Sequence, residues 1–220
     1  MTAVMDHRDR AGAGAARAMP VGVLASGEGT NLQALLDRVH RHEAEIVAVG
    51  SDQPGARALE RAGAAGVATA VFPRAAYPDR AARDGAMAGW LRAAGVELVV
   101  LAGYMKLLSP GFLAAFPQRV VNVHPALLPA FPGLRAVEQA LAYGVKVFGV
   151  TVHFVDAGVD TGPIIAQRAV ELPQAATVAE VRAALRPLEH DLLTEAVRLL
   201  ARGAVRTDPD HPRRVLVASA

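Results

Sequence analysis

In the run Asn122-Val123-His124-Pro125-Ala126-Leu127-Leu128-Pro129, an amide and an imidazole stand two positions apart. The apolar Arg119-Val120-Val121 just before it reads as a strand. On an extended backbone such positions face the same way, so a neutral hydrogen-bond donor sits beside a group that titrates near neutral pH. Acyl transfer needs both: a donor for a developing oxyanion and a carrier for a proton. Asp160, in the turn Val155-Asp156-Ala157-Gly158-Val159-Asp160-Thr161-Gly162-Pro163, is the candidate third member. A carboxylate beside His124 would raise the imidazole pKa and complete a proton relay. The competing reading is a structural His-Pro turn. His153, on the apolar run 151–155, reads as packing or a hydrogen bond. No HExxH-like spacing joins His124, His153 and Asp160 as metal ligands, so no metal is expected.

Two further segments could hold ligands. Ser26-Gly27-Glu28-Gly29-Thr30-Asn31 joins a first strand to a first helix. Converging backbone N–H groups and a helix N-terminus make it a phosphate cradle, with Thr30 or Asn31 as helix cap. An ordinary capped turn is the alternative. The G-x-G-x-x-G dinucleotide spacing is not met, and the Glu28 carboxylate should point away from any phosphate. Leu101-Ala102-Gly103-Tyr104-Met105-Lys106-Leu107-Leu108 leaves an apolar strand where ligands bind in open α/β sheets. Gly103 permits close approach there, and the apolar side chains could wall a flat ring or simply end a strand. Arg80, opening a helix, could meet an anion, though an exposed arginine without a ligand is the default.

These segments need a scaffold. Strand-like runs at 21–25, 46–49, 67–72, 97–102 and 119–123 alternate with helix-like stretches at 31–42, 54–64, 79–94, 109–116 and 134–143. That alternation predicts an α/β fold with a doubly wound, mostly parallel, Rossmann-like sheet. Two late strands, 146–155 and 163–170, are joined closely enough to form an antiparallel pair at one edge. Residues 177–200 read as a long amphipathic helix that Pro187 should kink or divide. No element is assigned after residue 202.

Composition bounds the rest. The 220 residues, 52% hydrophobic, suffice for one domain with a real core. We expect a single domain over residues 19–220 and a disordered tail over residues 1–18, with Met19 an alternative start. The tail lacks the apolar core of a signal peptide, and no apolar run reaches membrane-spanning length. There is no cysteine, which excludes thiolate catalysis and disulfides. Basic residues outnumber acidic ones by only two (23 against 21), with no dense stripe for nucleic acid.

Taken together, residues 20–200 resemble the phosphoribosylglycinamide formyltransferases, the folate-dependent enzymes of purine synthesis. The resemblance rests on the Asn122–Pro129 run with Phe131-Pro132-Gly133, on the 149–165 segment, and on the 26–31 loop. It implies a transferase that uses 10-formyltetrahydrofolate as co-substrate and glycinamide ribonucleotide as acceptor. His124 would be the general acid/base, Asn122 the oxyanion donor, and Asp160 the group that raises the histidine pKa. Gly29, Thr30 and Asn31 would hold the substrate phosphate, with Gly103 and Glu189 also on the ribonucleotide. Arg80, Met105, Lys106, Leu107, Leu108, Asn122, Ala157, Gly158, Val159 and Asp160 would line the folate site. A cytoplasmic protein without membrane or nucleic-acid partners, with room for a homodimer, is expected. Three positions depart from the pattern: Glu28, Lys106 and Arg135. The rivals are other users of the same folate, among them a deformylase or another amine formyltransferase, and a non-catalytic folate- or nucleotide-binding module.

Overall fold

The computed structural model describes residues 17–218. The expected tail, residues 1–18, lies outside them apart from Arg17, which pairs with Glu97, and Ala18. The elements run β1 (Met19–Leu24), α1 (Thr30–Arg38), β2 (Ala44–Ser51), α2 (Arg57–Ala64), β3 (Ala68–Val71), a short 3-10 turn, α3 (Arg80–Ala93), β4 (Leu98–Leu101), α4 (Pro110–Ala115), β5 (Val120–His124), α5 (Ala136–Tyr143), β6 (Val147–Phe154), β7 (Ile164–Glu171), α6 (Val178–Ala201), β8 (Val205–Thr207) and β9 (Val215–Val217). No helix among the described residues is long and apolar enough to cross a membrane.

Seven strands form one sheet in the order β3-β2-β1-β4-β5-β6-β7. The first five are parallel, and β6 and β7 are antiparallel, as the alternation and the short late connection require. β1 and β4 are neighbours from which successive connections depart in opposite directions. Their exit loops therefore part and leave a crevice at the strand C-termini. β8 and β9 pair separately, and an isolated bridge between Ile164 and Arg214 ties them to β7.

Each face of the sheet buries its own apolar layer. On one face Val21, Val23, Val121, Val123, Val150 and Val152 meet α1, α2, α5 and α6. On the other, Leu24, Val99, Leu101 and Val120 meet Met87 and Leu91 of α3 and Phe112 of α4. Strand alternation puts Asn122 and His124 on the same face as Val120. Over β5 and β6 that face carries polar side chains and is covered by loops 125–135 and 155–163, which is where the candidate site forms.

Three of the expected helices run differently in the structure. α2 begins only at Arg57, because Pro54-Gly55 sits in the preceding turn. α1 ends at Arg38, four residues early. Val39 still fills the core, but φ of −128° there and +64° at Arg41 break the helix. Pro187 does not divide α6, which runs unbroken over 24 residues. Buried Val181 and Leu185 before it and Leu192, Leu193 and Val197 after it anchor both halves to the core. That packing outweighs the one backbone hydrogen bond the proline lacks.

Candidate active site

The site begins with register. β5 and β6 pair so that Asn122 stands opposite His153 and His124 opposite Thr151. Directly opposed residues share a face, so four polar side chains come together there. Thr151 secures the turn that follows the strand. Its hydroxyl donates to the Ala126 carbonyl at 2.7 Å and accepts from the Leu128 N–H at 3.1 Å. Gln167 on β7 adds bonds to that hydroxyl and to the Leu128 carbonyl, both at 2.9 Å.

Asp160 comes to this group on the β6–β7 loop, at φ +51°. Asp156 shapes the loop by accepting from the Gly158 N–H at 3.0 Å and the Thr161 hydroxyl at 2.7 Å. At Gly162 any Cβ would fall 1.8 Å from the Phe154 carbonyl oxygen, so only glycine lets the chain turn so closely. Asp160 Oδ2 accepts from the Gly133 N–H at 2.7 Å and lies 3.3 Å from His124 Nδ1. Its Oδ1 lies 3.4 Å from Asn122 Nδ2 and 3.5 Å from His153 Nε2. Burial alone would raise the carboxyl pKa. Hydrogen bonding from His153 and Gly133, with the charges of His124 and His153, outweighs this and holds it at about 2 against an ordinary 3.8.

The hydrogen-bond partners assign atoms to roles. His124 is buried, and its Nε2 is 2.9 Å from the Phe131 carbonyl, which can only accept. With Nδ1 facing a carboxylate, both ring nitrogens point at acceptors, and the imidazolium satisfies both. His153 Nδ1 donates to the Phe154 carbonyl at 2.8 Å. Its Nε2 faces Asp160 Oδ1 at 3.5 Å and lies 3.3 Å from Asn122 Nδ2. Asn122 Nδ2 donates one N–H to Asp160 Oδ1 at 3.4 Å, and its other N–H is left to donate elsewhere.

The crevice between β1 and β4 is stitched by Ser26. Its N–H donates to the Gly103 carbonyl at 3.1 Å, its hydroxyl accepts from the Met105 N–H at 3.1 Å, and it donates to Asp52 at 2.6 Å. Lys106 Nζ reaches the same buried Asp52 at 3.9 Å. Met105 and Leu107 are exposed, whereas Leu108 is buried in the core beside α4. Ala157, Gly158 and Val159 lie exposed on the Asp160 loop, and Arg80 is exposed at the start of α3. The helix cap differs from expectation. Neither Thr30 nor Asn31 caps α1: Gly29, at φ +70°, is the N-cap and no side chain fills it. Asn31 instead donates to Glu189 of α6 at 3.1 Å, leaving its buried Oδ1 without a partner. Burial raises the Glu189 pKa, against the Asn31 hydrogen bond and the charges of Arg186 and Arg182. Glu28 turns away onto α2, where its exposed carboxylate meets Arg57 at 3.4 Å.

Thr151, Gln167 and Phe131 join the site without being candidates in the sequence, and His153 joins it from a position read as packing or a hydrogen bond. Thr151 and His153 alternate on β6, but they meet His124 and Asn122 only through the β5–β6 pairing register. Phe131 acts through its carbonyl, which no residue type announces.

A doubly wound sheet whose switch-point loop is glycine-rich, with an amide, imidazole and carboxylate converging beside it, defines a class, and the chain belongs to the formyl transferase family over residues 19–197. It is similar to the phosphoribosylglycinamide formyltransferase of Bacillus subtilis (strain 168), at 41% identity over 180 residues, 81% of this chain and 92% of that protein. Its namesake from Mycobacterium tuberculosis (strain ATCC 25618 / H37Rv) is 47% identical over 180 residues, 81% of this chain and 83% of that one. The chain also matches 14% of the length of the trifunctional purine biosynthetic protein adenosine-3 of Drosophila pseudoobscura pseudoobscura, at 42% identity over 190 residues. Among solved structures, glycinamide ribonucleotide transformylase 1 from Symbiobacterium toebii superposes with a TM-score of 0.88 at 50% identity, covering 92% of this chain and 95% of that one.

Proposed function

We propose that this protein transfers the formyl group of 10-formyltetrahydrofolate to the amine of glycinamide ribonucleotide, in purine biosynthesis. The observation that carries the reading is the meeting of one carboxylate, Asp160, with both Asn122 and His124. The amine nitrogen bonds to the formyl carbon while the carbonyl π pair moves onto oxygen. The free N–H of Asn122 and the His124 imidazolium stabilise that oxyanion. The carbon–N10 bond then breaks, N10 takes up a proton, and the amine nitrogen gives one up. Asp160 holds the Nδ1 side of His124, so the ring works from Nε2, which exchanges the Phe131 carbonyl for the reacting groups.

Gly29, Thr30 and Asn31 take the phosphate in this reading, with Gly103 and Glu189 along the ribonucleotide. Arg80, Met105, Lys106, Leu107 and the loop from Ala157 to Asp160 line the folate side, Leu108 contributing through its backbone. Residues 19–220 act as one unit, an assignment supported by the bridge that ties β9 to the main sheet. A cytoplasmic site of action accords with both substrates.

The test is to mix the protein with both substrates and follow folate absorbance and product mass. Formylglycinamide ribonucleotide should form, and His124→Ala should lose about 100- to 1000-fold in turnover. Release of formate without the amine would mean a deformylase. Near wild-type turnover in His124→Ala would remove the histidine from the mechanism.

A further inference from the structure

α2 holds the 26–29 loop at three points. The Gly27 carbonyl accepts from the Ala58 N–H at 3.1 Å. The Glu28 carbonyl accepts from Arg61 Nε–H at 2.8 Å. Gly29 packs so tightly that a Cβ would lie 2.7 Å from Ala58 Cα. Arg61 also donates through Nη1 to Gln33 of α1 at 2.9 Å. A single guanidinium thus joins the loop, the helix after it and the helix beside it.

This grip dictates where the loop's N–H groups face. In a planar trans peptide the C=O and the following N–H point in opposite directions. With the carbonyls of Gly27 and Glu28 turned onto α2, the N–H groups of Glu28 and Gly29 turn away from it. α2 follows β2 on the β3 side of β1, so the opposite direction leads toward β4 and β5, which carries Asn122 and His124. Among the described residues neither N–H has a protein acceptor. The α1 N-terminus beside them has no side-chain cap and no acidic residue in its first turn.

We infer that Arg61 is a positioning residue for the phosphate of the amine substrate: its bond to the Glu28 carbonyl sets the peptide plane that presents the Gly29 N–H to that phosphate. The inference rests on the formyl-transfer reading of the site. Arg61 itself touches no substrate atom. Its effect therefore falls on one substrate and one end of that substrate, unlike a general loss of packing between α1 and α2.

The test compares the full chain with Arg61→Met, which keeps the aliphatic stem, and Arg61→Lys, which restores a cationic donor. Two readouts are taken: steady-state constants for both substrates, and an inorganic phosphate titration followed by NMR at the Glu28 and Gly29 amides. Phosphate should shift both amides in the wild type. In Arg61→Met, the phosphate Kd and the KM for glycinamide ribonucleotide should each rise about tenfold, the loss of one charge-assisted hydrogen bond. The kcat and the folate KM should stay within about twofold, a change too small to signal a lost contact, and Arg61→Lys should recover part of the affinity. An unchanged phosphate midpoint, or equal rises in both KM values, would overturn the inference while leaving the formyl-transfer reading intact. A wild type that transfers no formyl group would defeat that reading, and the phosphate titration would still judge Arg61 on its own. If Arg61→Met melts below the assay temperature, Arg61→Lys carries the same comparison.

Discussion

His124 Nδ1 lies 3.3 Å from Asp160 Oδ2, and that oxygen also accepts the Gly133 N–H at 2.7 Å. One atom thus orients the imidazole and ties loop 155–163 to loop 125–135. Asp160 is held at about 2 against an ordinary 3.8, so the folded chain favours its ionised form. The stability this lends is fully present above the unfolded value and is lost as pH falls through the folded one. We expect wild type to exceed Asp160→Asn in urea midpoint by a constant margin above about pH 5. The margin should shrink as pH falls from about 4 toward 2. A margin independent of pH would show that the carboxylate acts only through its shape.

Glu189 has the opposite sign. Burial raises its pKa, so its ionised form weighs against the fold and stability falls as pH rises through the raised value. Glu189→Gln keeps an oxygen for Asn31 and removes the buried charge. It should melt higher than wild type, with the gain larger at alkaline than at acidic pH. The KM for the ribonucleotide should rise several-fold, about 1 kcal/mol of lost binding. Melting curves at acidic and alkaline pH, with one kinetic series, check both statements.

The loop that walls the crevice depends on a buried ion pair. Asp84 Oδ1 accepts from Arg83 Nε at 3.0 Å and Nη2 at 2.8 Å, and its Oδ2 accepts from the Ser109 N–H at 2.6 Å. Both side chains are nearly inaccessible. Asp84→Ala strands the guanidinium and should cost about 3–5 kcal/mol in urea unfolding. Arg83→Met combined with Asp84→Leu should recover much of that loss, because two apolar side chains leave no buried charge unmatched.

Much of this was legible in the residue pattern, for reasons that also mark where legibility stops. Alternating apolar runs predicted the doubly wound sheet, because each strand and helix must bury its own face. The two-residue spacing of Asn122 and His124 declared a shared face for the same reason. His153 needed the pairing register between β5 and β6, a relation between strands that neither strand's own pattern contains. The open α1 N-terminus is not legible in the sequence, because Thr30 and Asn31 are good capping types. The cap falls instead to Gly29, where a left-handed backbone and the closeness of Ala58 each disfavour a side chain. Pro187 was expected to interrupt α6, and tertiary packing overrode the local penalty.

The contact between Asn31 and Glu189 spans 158 positions of chain. Arg38 adds a second link of the same reach, meeting Asp191 at 2.5 Å and accepting from Arg198 through its carbonyl at 2.6 Å. During synthesis, the 26–31 loop and α1 leave the ribosome well before α6, which carries Glu189. Until α6 emerges, Leu32 and Leu35 lack part of the core that covers them, and long-range closures of this kind are the slow steps of folding. The Asn31–Glu189 contact therefore forms only once α6 is made, and a nascent chain stalled before residue 178 carries Asn122 and His124 on β5 without the carboxylate that meets Asn31.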